Sequence, residues 1–311
     1  MTETIIQTQG LTRDFKKVRA VDSLDLAIGR GELFGLIGPD GAGKTTTLRL
    51  LAGLLKPTEG TAVVAGHNLA KEAEAIKPKI GYMAQRFSLY GEMTVIENLH
   101  FFAEIYNVPP VNIEPRTERL LRFAGLTKFT DRRAANLSGG MQKKLALACT
   151  LIHEPEILLL DEPTMGVDPV SRREFWHILT DLHTRGTTII VTTPYMDEAD
   201  RCSRIGFMYA GRLIVNAPPT EIRGQLGGEI IELVPENWRA ARVVLADFPG
   251  LIELQTYGET LHLLVDSAEK RLPEVTAVLD AAQLPYRSIR VVPPRMEQAF
   301  MSLIQSMNHD A

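Results

Sequence analysis

The stretch GPDGAGKTT, at residues 38–46, constrains the fold of this chain more than any other. It follows the apolar run GELFGLIG (31–38), typical of a buried strand, and opens KTTTLRLLAG (44–53), which predicts a helix ending at Gly53. Glycines let a short turn curl so that successive backbone N–H groups point inward, toward an anion. The stretch matches the complete G-x-x-x-x-G-K-[ST] pattern between a strand and a helix, and it therefore predicts a phosphate-binding loop.

The loop and the first helical turn supply different contacts to a phosphate chain. The helix beginning near Lys44 adds its positive end, and the Lys44 side chain supplies a full charge for the β- and γ-phosphates. The Thr45 hydroxyl is expected to bind Mg²⁺. The predicted nucleotide contacts of this segment are Gly38, Gly41, Ala42, Gly43, Lys44, Thr45 and Thr46.

A second buried strand ends in two acids. In EILLLDEP (156–163) four apolar residues precede Asp161 and Glu162, and Pro163 closes the strand. Alone, such acids would favour a simple cap on the next turn. Beside a phosphate loop, Asp161 is expected to hold Mg²⁺ through water, and Glu162 to orient and polarise an attacking water.

A separate anion site is predicted in LSGGMQKKLALACTL (137–151). Ser138 offers a hydroxyl at a helix start, and Gly139 and Gly140 offer N–H groups with no side chain in the way. One chain then carries two separated phosphate sites, which makes sense if they meet only between two subunits.

Strand and helix patterns alternate up to about residue 224, which predicts an α/β domain with a mainly parallel sheet. Besides those above, strands are predicted at 60–66, 79–85 and 187–193, helices at 94–106, 115–124, 138–152 and 171–186, and a hairpin at 204–217 turning at Ala210-Gly211. The stretch RGQLGG (223–228) is interpreted as a linker.

A small α+β domain is predicted at 225–311. Its order is strand, helix, strand, strand, helix, strand, at 229–234, 237–247, 251–256, 260–265, 269–282 and 287–292, which is the ferredoxin-like split-βαβ arrangement. A last helix is predicted at 295–307. Two apolar helical stripes are expected to pack inside the domain: Leu272, Val275, Leu279 and Ala282 on one helix, and Met296, Phe300, Leu303 and Met307 on the other.

Composition narrows the class of protein. The 311 residues suggest about two domains, and a net charge of −4 without a long basic run gives no reason to expect nucleic acid as a partner. Cys149 and Cys202 fit no metal spacing and are too few for a disulfide framework, which favours a reducing, cytoplasmic location. No signal-peptide pattern and no run of about 18 apolar residues is found, so we expect any work at a membrane to depend on a partner.

The motifs, taken in their order along the chain, resemble those of the nucleotide-binding subunit of an ABC transporter. The resemblance covers about residues 4–222. GPDGAGKTT is similar to the family's Walker A motif, ILLLDEP to Walker B, and LSGGM to the signature motif, with Met141 where glutamine is usual. The resemblance further implies that Phe15 stacks on adenine, that Gln85 of the Q-loop contacts Mg²⁺, and that Asp168 ends the D-loop.

The resemblance implies a P-loop ATPase domain at 1–224, with a RecA-like mixed sheet and a helical subdomain at about 86–153, that binds ATP and Mg²⁺. Glu162, Gln85 and Lys44 would be its catalytic residues. Two such subunits, identical or different, would enclose each ATP between one Walker A motif and the opposite signature. Integral membrane permease subunits would be the other partners, at the cytoplasmic face of the membrane.

Four stretches carry a finer resemblance to the ABC-2-type export branch of the family, whose subunits often carry a small C-terminal domain. They are GPDGAGKTT, LSGGM, GVDPVSRRE and the closing PPRMEQAFMSLI. The role of that domain is open between dimer contact, regulation and partner docking. The stretch 86–105, rich in Phe, Leu, Tyr and Met, is equally compatible with core packing and with a groove that receives a coupling helix.

Asp40 departs from the family pattern, which usually has asparagine or serine there. Two unit charges ~4 Å apart at an effective dielectric of ~20 repel by about 4 kcal/mol. An ionised Asp40 must therefore point away from the phosphates or pair with a cation, or else it is protonated. It could instead face the D-loop of the opposing subunit.

Pro194, in TTPYMDEAD (192–200), is the second departure. The family has at this position a histidine that contacts the γ-phosphate and helps to hold the attacking water. Proline donates no hydrogen bond, and none of the seven histidines lies within ten residues of it. A local alternative is that Pro194 starts a helix, Tyr195–Arg201. We expect this chain's own Walker motifs to bind ATP and to hydrolyse it slowly.

The motifs leave three functions to be distinguished. The first is an ATPase subunit of an exporter, and the alternative is a regulatory nucleotide-binding subunit paired with a more active one. A soluble ABC ATPase of DNA repair or translation is disfavoured, because such proteins usually carry long coiled-coil insertions or two fused ATP domains, and neither is seen.

Overall fold

The computed structural model describes residues 3–86, 89–224 and 227–309 of the chain. Its strands are β1 (Thr4–Phe15), β2 (Val18–Gly29), β3 (Leu33–Ile37), β4 (Glu59–Val64), β5 (His67–Asn68), β6 (Ile80–Met83), β7 (Ile157–Asp161), β8 (Thr188–Thr193), β9 (Arg204–Tyr209), β10 (Arg212–Ala217), β11 (Glu229–Pro235), β12 (Leu251–Tyr257), β13 (Thr260–Val265) and β14 (Tyr286–Val292). Its α-helices are α1 (Lys44–Leu51), α2 (Ala73–Ile76), α3 (Val95–Ile105), α4 (Pro110–Ala124), α5 (Gly139–Leu151), α6 (Pro169–Thr184), α7 (Met196–Ala199), α8 (Pro219–Gly224), α9 (Trp238–Leu245), α10 (Ala268–Ala281) and α11 (Met296–His309). Phe87 and Ser88 of the predicted groove, Gln225 and Leu226 of the predicted linker, and the side chain of Met307 lie outside the described residues.

A six-stranded sheet forms the centre of the first structural unit, and its order is β10-β9-β3-β8-β7-β6. Its strands pair in parallel, apart from the predicted β9–β10 hairpin. Every residue of β3, β7 and β8 is buried, which explains the apolar run within each strand. Carboxyl ends of parallel strands share one edge of a sheet, so the phosphate loop after β3, the acids after β7 and Pro194 after β8 all follow this edge.

A second, antiparallel sheet of order β2-β1-β4-β5 belongs to the same unit. The sequence pattern did not predict β1 and β2, although each is 12 residues long. Four register shifts interrupt their pairing, so the alternation that marks a half-buried strand breaks repeatedly. Ile6 and Ile28 from these strands pack in one core cluster with Leu48 and Leu51 of α1.

Three longer helices, α3 to α5, lie between β6 and β7 in the chain, where the helical subdomain is predicted. Thr94 and Glu97 form a capping box that starts α3. Helix α4 begins at Pro110, ahead of the predicted start at 115. A proline in the first helical position lacks only an N–H that would have no partner there, so the run of prolines does not delay the helix.

The segment 89–105 contains both core and surface. Val95 and Leu99 are fully buried. Tyr90 is 47% exposed and lies with its ring centroid 4.4 Å from that of Phe101. Core packing is therefore confirmed for Val95 and Leu99, and the groove for a coupling helix stays a prediction.

The second unit has the predicted ferredoxin-like order, with an antiparallel sheet β12-β13-β11-β14. Helices α9 and α10 pack on the sheet, and Val275 and Leu279 of the predicted stripe are buried there. Ala282 of that stripe is exposed, because α10 ends at Ala281 and the chain turns away. In α11, Met296 and Phe300 are buried as predicted.

The boundary between the units falls ahead of α8. The chain divides into Met1–Pro218 and Pro219–Ala311, whereas the glycine-rich stretch predicted a boundary at 224. Helix α8 accounts for the difference between the two boundaries. Its Pro219 and Ile222 are buried, and the helix contacts α11 of the second unit. Among the described residues, no helix combines the length and the apolar character needed to cross a membrane.

Candidate nucleotide-binding site

The phosphate loop between β3 and α1 depends on two glycines that pack against backbone. A Cβ atom on Gly38 would lie 2.2 Å from the carbonyl oxygen of Met208, and one on Gly43 would lie 2.3 Å from that of Ala20. Gly43 also has a φ of 105°, which side chains disfavour. The motif's glycines therefore let the loop approach β9 and the β2 backbone closely.

A cavity of about 530 Å³ opens beside this loop. It is lined by residues 40–46, 18–20, Gln85, Glu162 and Ala210. All the phosphate contacts predicted for the loop except Gly38 thus face one cavity, together with two predicted catalytic side chains. The size and the polar lining suit a phosphate chain.

Lys44 is nearly buried, with 3% of its side chain exposed. Its Nζ donates to the carbonyl oxygens of Gly38 (2.8 Å) and Pro39 (3.0 Å). It also lies 3.4 Å from Oε1 of the buried Glu162 carboxylate. Because a buried charge needs a partner, a phosphate that enters the cavity must compete with Glu162 for this ammonium.

Asp161 is fully buried behind the start of α1. The hydroxyls of Thr45 and Thr192 each donate to its Oδ1 at 2.9 Å. The Tyr82 hydroxyl lies 3.5 Å from Oδ2, and burial raises the pKa of this tyrosine. Hydroxyl and carboxylate oxygens are the ligands that Mg²⁺ prefers, so the paired Thr45 and Asp161 fit the predicted metal role.

Glu162 is held at the strand end by its backbone and by its carboxylate. Its N–H donates to the Thr192 hydroxyl at 2.9 Å, and its φ of 46° lies in the left-handed region. Such a conformation costs about 1–3 kcal/mol outside glycine. Gln85 Nε2 donates to Glu162 Oε2 at 2.8 Å and lies 3.0 Å from Met165 Sδ, leaving the amide oxygen of Gln85 for a metal.

The signature segment lies at the start of α5 and does not line the phosphate-loop cavity. The Ser138 hydroxyl caps the helix by accepting from Met141 N–H at 3.4 Å. A Cβ on Gly140 would lie 2.4 Å from Ser171 side-chain atoms, so helix packing requires this glycine. Gly139 is exposed with open space around it and is the one accessible to an anion.

Phe15 and Asp168, two further predicted nucleotide contacts, also lie outside the lining of that cavity. Asp168 caps α6 by accepting from the N–H groups of Val170 and Ser171, at 3.1 and 2.9 Å. The hydrogen bond from Ser171 lowers the pKa of this carboxyl. Phe15 is 40% exposed, with the Arg13 guanidinium 4.6 Å from its ring centroid.

Pro194 occupies a bend between β8 and α7. It is not the first residue of the following helix, which begins at Met196, so the local alternative of a helix start is wrong. The Thr193 hydroxyl accepts from Tyr195 N–H at 3.0 Å, which fixes the turn without any donor from the proline. Pro194 is not among the residues that line the cavity.

Arg172, in the first turn of α6, holds the segment after Pro194. Its Nη2 donates to Asp197 Oδ2 at 2.8 Å, and its guanidinium lies 5.1 Å from the ring centroid of Tyr195. Thr164, which follows the Walker B strand, donates to the buried Glu198 carboxylate at 2.8 Å. The segment 195–198 is therefore fastened to the D-loop region from two sides.

Asp40 is exposed at the cavity. Within the described ranges its carboxylate has neither a hydrogen bond nor an ion pair. Of the alternatives drawn from the sequence, pairing with a cation of this chain is therefore not what the structure shows.

Thr192 and Arg172 are functional candidates that sequence reasoning missed. Thr192 is aligned with Asp161 across the β7–β8 pair, which explains its hydrogen bond to that carboxylate. The signal was a polar residue at the end of a buried strand. A single sequence does not reveal strand order, so the partner of this threonine could not be identified.

A family model described as ABC transporter matches residues 21–165. The probable multidrug ABC transporter ATP-binding protein YbhF of Escherichia coli (strain K12) is 44% identical over 223 residues, which are 72% of this chain. This chain spans only 39% of that relative's length. The Nod factor export ATP-binding protein I of Ralstonia nicotianae is 34% identical over 301 residues, covering 96% of this chain and 93% of that protein.

Among solved structures, the ATP-binding cassette MJ0796, in a dimeric post-hydrolysis state with ADP and Pi, is similar to this chain. The TM-score is 0.63 at 27% identity, and the match covers 68% of this chain and 98% of the cassette.

Proposed function

We propose that this chain powers export within an ABC-2-type transporter. The chain belongs to the ABC transporter family, and it is an ATP-binding, ATP-hydrolysing subunit. The observation that carries the proposal is the cavity where Lys44, Thr45, Gln85 and Glu162 meet. One relative is named for multidrug transport and another for Nod factor export, which supports export as the direction. Those cargos differ in class, so we assign cargo selection to other subunits.

The contacts of this chain support a defined order of events. The phosphates of ATP meet the N–H groups of the loop and take over the Lys44 ammonium from Glu162. The released Glu162 carboxylate then orients a water and accepts its proton as the water oxygen bonds to the γ-phosphorus. The bond from the γ-phosphorus to the bridging oxygen breaks, and ADP leaves with that electron pair. Mg²⁺, held by Thr45 and Asp161, would neutralise charge on the phosphate oxygens.

The working assembly is proposed to be a head-to-tail pair of nucleotide-binding subunits. Gly139, the accessible signature glycine, lines a second cavity and not the one beside Lys44. A second subunit is therefore expected to bring its own signature to this chain's ATP. The movement of the two subunits on closure would be transmitted through the Q-loop region to integral permease subunits at the cytoplasmic face of the membrane.

Slow hydrolysis at this chain's own Walker motifs is proposed from Pro194. Loss of one positioned polar contact typically costs about 10²–10³ in rate. Pro194→His is expected to raise the steady-state ATPase rate of the purified chain. No gain over wild type would count against this part of the proposal.

The alternative is a regulatory nucleotide-binding subunit whose own site hardly turns over. A homodimeric complex would leave both sites with Pro194, whereas a heterodimer would give one site a different switch residue. Purification of the complex from membranes with a tagged chain identifies its subunits. An exporter subunit predicts an integral membrane protein in the complex and ATPase activity that Glu162→Gln abolishes. Activity unaffected by Glu162→Gln would instead favour the regulatory role.

A further inference from the structure

Lys143 connects the signature helix to the Q-loop. It lies in α5, and its Nζ donates to the backbone carbonyl of Gln85 at 2.9 Å. Lys143, Gln85 and Gly139 line the same cavity, of about 260 Å³. The contact therefore joins a helix that begins at the signature glycine to a residue of the phosphate-loop cavity.

The contact continues into the catalytic carboxylate. Gln85, whose carbonyl Lys143 holds, donates from its side chain to Glu162 at 2.8 Å. Glu162 in turn lies 3.4 Å from the Lys44 ammonium. A series of direct contacts thus runs from the signature helix to the phosphate-binding lysine.

The environment of Lys143 differs from that of an ordinary surface lysine. Burial lowers the pKa of its ammonium, while the negative charges of Asp161 and Glu162 oppose that effect. Its neighbour Lys144 instead pairs with the exposed Glu174 at 2.8 Å. Lys143 is therefore the member of this pair that contacts the Q-loop residue.

We propose that Lys143 is a positioning residue that couples the signature helix to Glu162 through the backbone of Gln85. The inference rests on the proposed function, in which Gln85 and Glu162 act in hydrolysis and Gly139 serves the ATP of the partner subunit. A shift of α5 displaces the Gln85 carbonyl and with it the amide that holds Glu162. Binding of the partner's ATP to the signature is then communicated to the carboxylate of this chain's own site.

The test is a double-mutant cycle in the full chain with Lys143→Ala and Gln85→Ala. Lys143→Ala is expected to lower kcat about 10- to 100-fold with little change in the affinity for ATP. It should have little further effect once Gln85 is alanine, because both changes break the same connection. Lys143→Arg keeps a cationic donor and should restore most of the rate. The exposed Lys128→Ala is the matched control.

A second readout does not depend on hydrolysis. Hydrogen exchange of the backbone around Gln85 should accelerate in Lys143→Ala and remain unchanged in Lys128→Ala. Unchanged exchange, or equal losses of kcat with and without the Gln85 side chain, would overturn the role of Lys143. A wild-type chain that lacks ATPase activity would instead overturn the proposed function.

Discussion

The side chains of the candidate site hold one another in place. Lys44 pairs with Glu162, and Thr45 donates to Asp161. One hydroxyl, that of Thr192, donates to Asp161 and accepts from the Glu162 N–H. Substrate binding therefore exchanges existing partners, and its free energy includes the cost of separating Lys44 from Glu162.

Glu162→Gln tests this exchange through ATP affinity. The neutral amide competes less well for the Lys44 ammonium, so ATP should bind about tenfold more tightly, equivalent to about 1.4 kcal/mol. Equilibrium binding of ATP measures this effect without turnover. Glu118→Gln is the control, because Glu118 is exposed and pairs with Arg122 on the surface of α4. Equal affinity of wild type and Glu162→Gln would show that the pair does not oppose binding.

At the scale of elements, the sequence predicted those strands and loops whose formation depends on a local pattern of residues. The strands β3, β7 and β8 each contain an apolar run, and the phosphate loop is a complete motif between strand and helix, so both could be identified. Strands β1 and β2 could not, because bulges break their alternation. Thr192, Lys143 and Arg172 also escaped prediction, since their partners depend on how distant elements pack.

Arg172 joins two elements that the family resemblance treats separately, the D-loop helix and the switch segment. Arg172→Ala removes ion pairs with Asp197 at 2.8 Å and with the buried Glu198 at 3.9 Å, and also the cation–π contact with Tyr195. The exposed ion pair and the cation–π contact are each worth up to about 1 kcal/mol. Backbone amides of 195–199 should then exchange about fivefold faster. Arg173→Ala, an exposed neighbour on the same helix, should leave them unchanged. Equal exchange in both variants would show that Arg172 does not restrain this segment.

Helix α11 meets the sheet of the second unit at a buried histidine. His262 contacts Glu232 at 3.3 Å through Nε2 and Gln298 of α11 at 3.2 Å through Nδ1. Burial and then Arg295 lower its pKa, more than Glu232 raises it, while Arg290 pairs with Glu232 at 2.7 Å. A histidine whose folded pKa lies below its unfolded value of about 6.5 binds more protons when unfolded.

The stability of the second unit should therefore be fully present above about pH 6.5 and fall as the pH drops below that value. Denaturant unfolding of the full chain, followed by Trp238 fluorescence in a Trp176→Phe background, measures the change. His262→Gln cannot titrate, so it should flatten the dependence between about pH 7 and about pH 5. A midpoint that falls equally with and without His262 would assign the effect to other groups.

At the scale of the whole molecule, the two units have separate hydrophobic cores. The first is built from the sheets around α1, and the second from β11, β13, α9 and α10. The proposed catalytic side chains and the phosphate loop all belong to the first unit. Binding of ATP should therefore not require the second unit.

Two truncations, after Pro218 and after Gly224, test where the first unit ends. The shorter chain keeps its core intact and should bind ATP with wild-type affinity. The longer one keeps α8 without α11, which exposes Ile222, a side chain that is fully buried in the whole chain. Since exposed apolar surface favours association, the longer fragment should aggregate at lower concentration than the shorter one.

Light scattering measured against protein concentration compares the two fragments, and ATP binding confirms that each is folded. A fragment ending at Pro218 that is less soluble than the one ending at Gly224 would place α8 with the first unit and return the boundary to the glycine-rich linker.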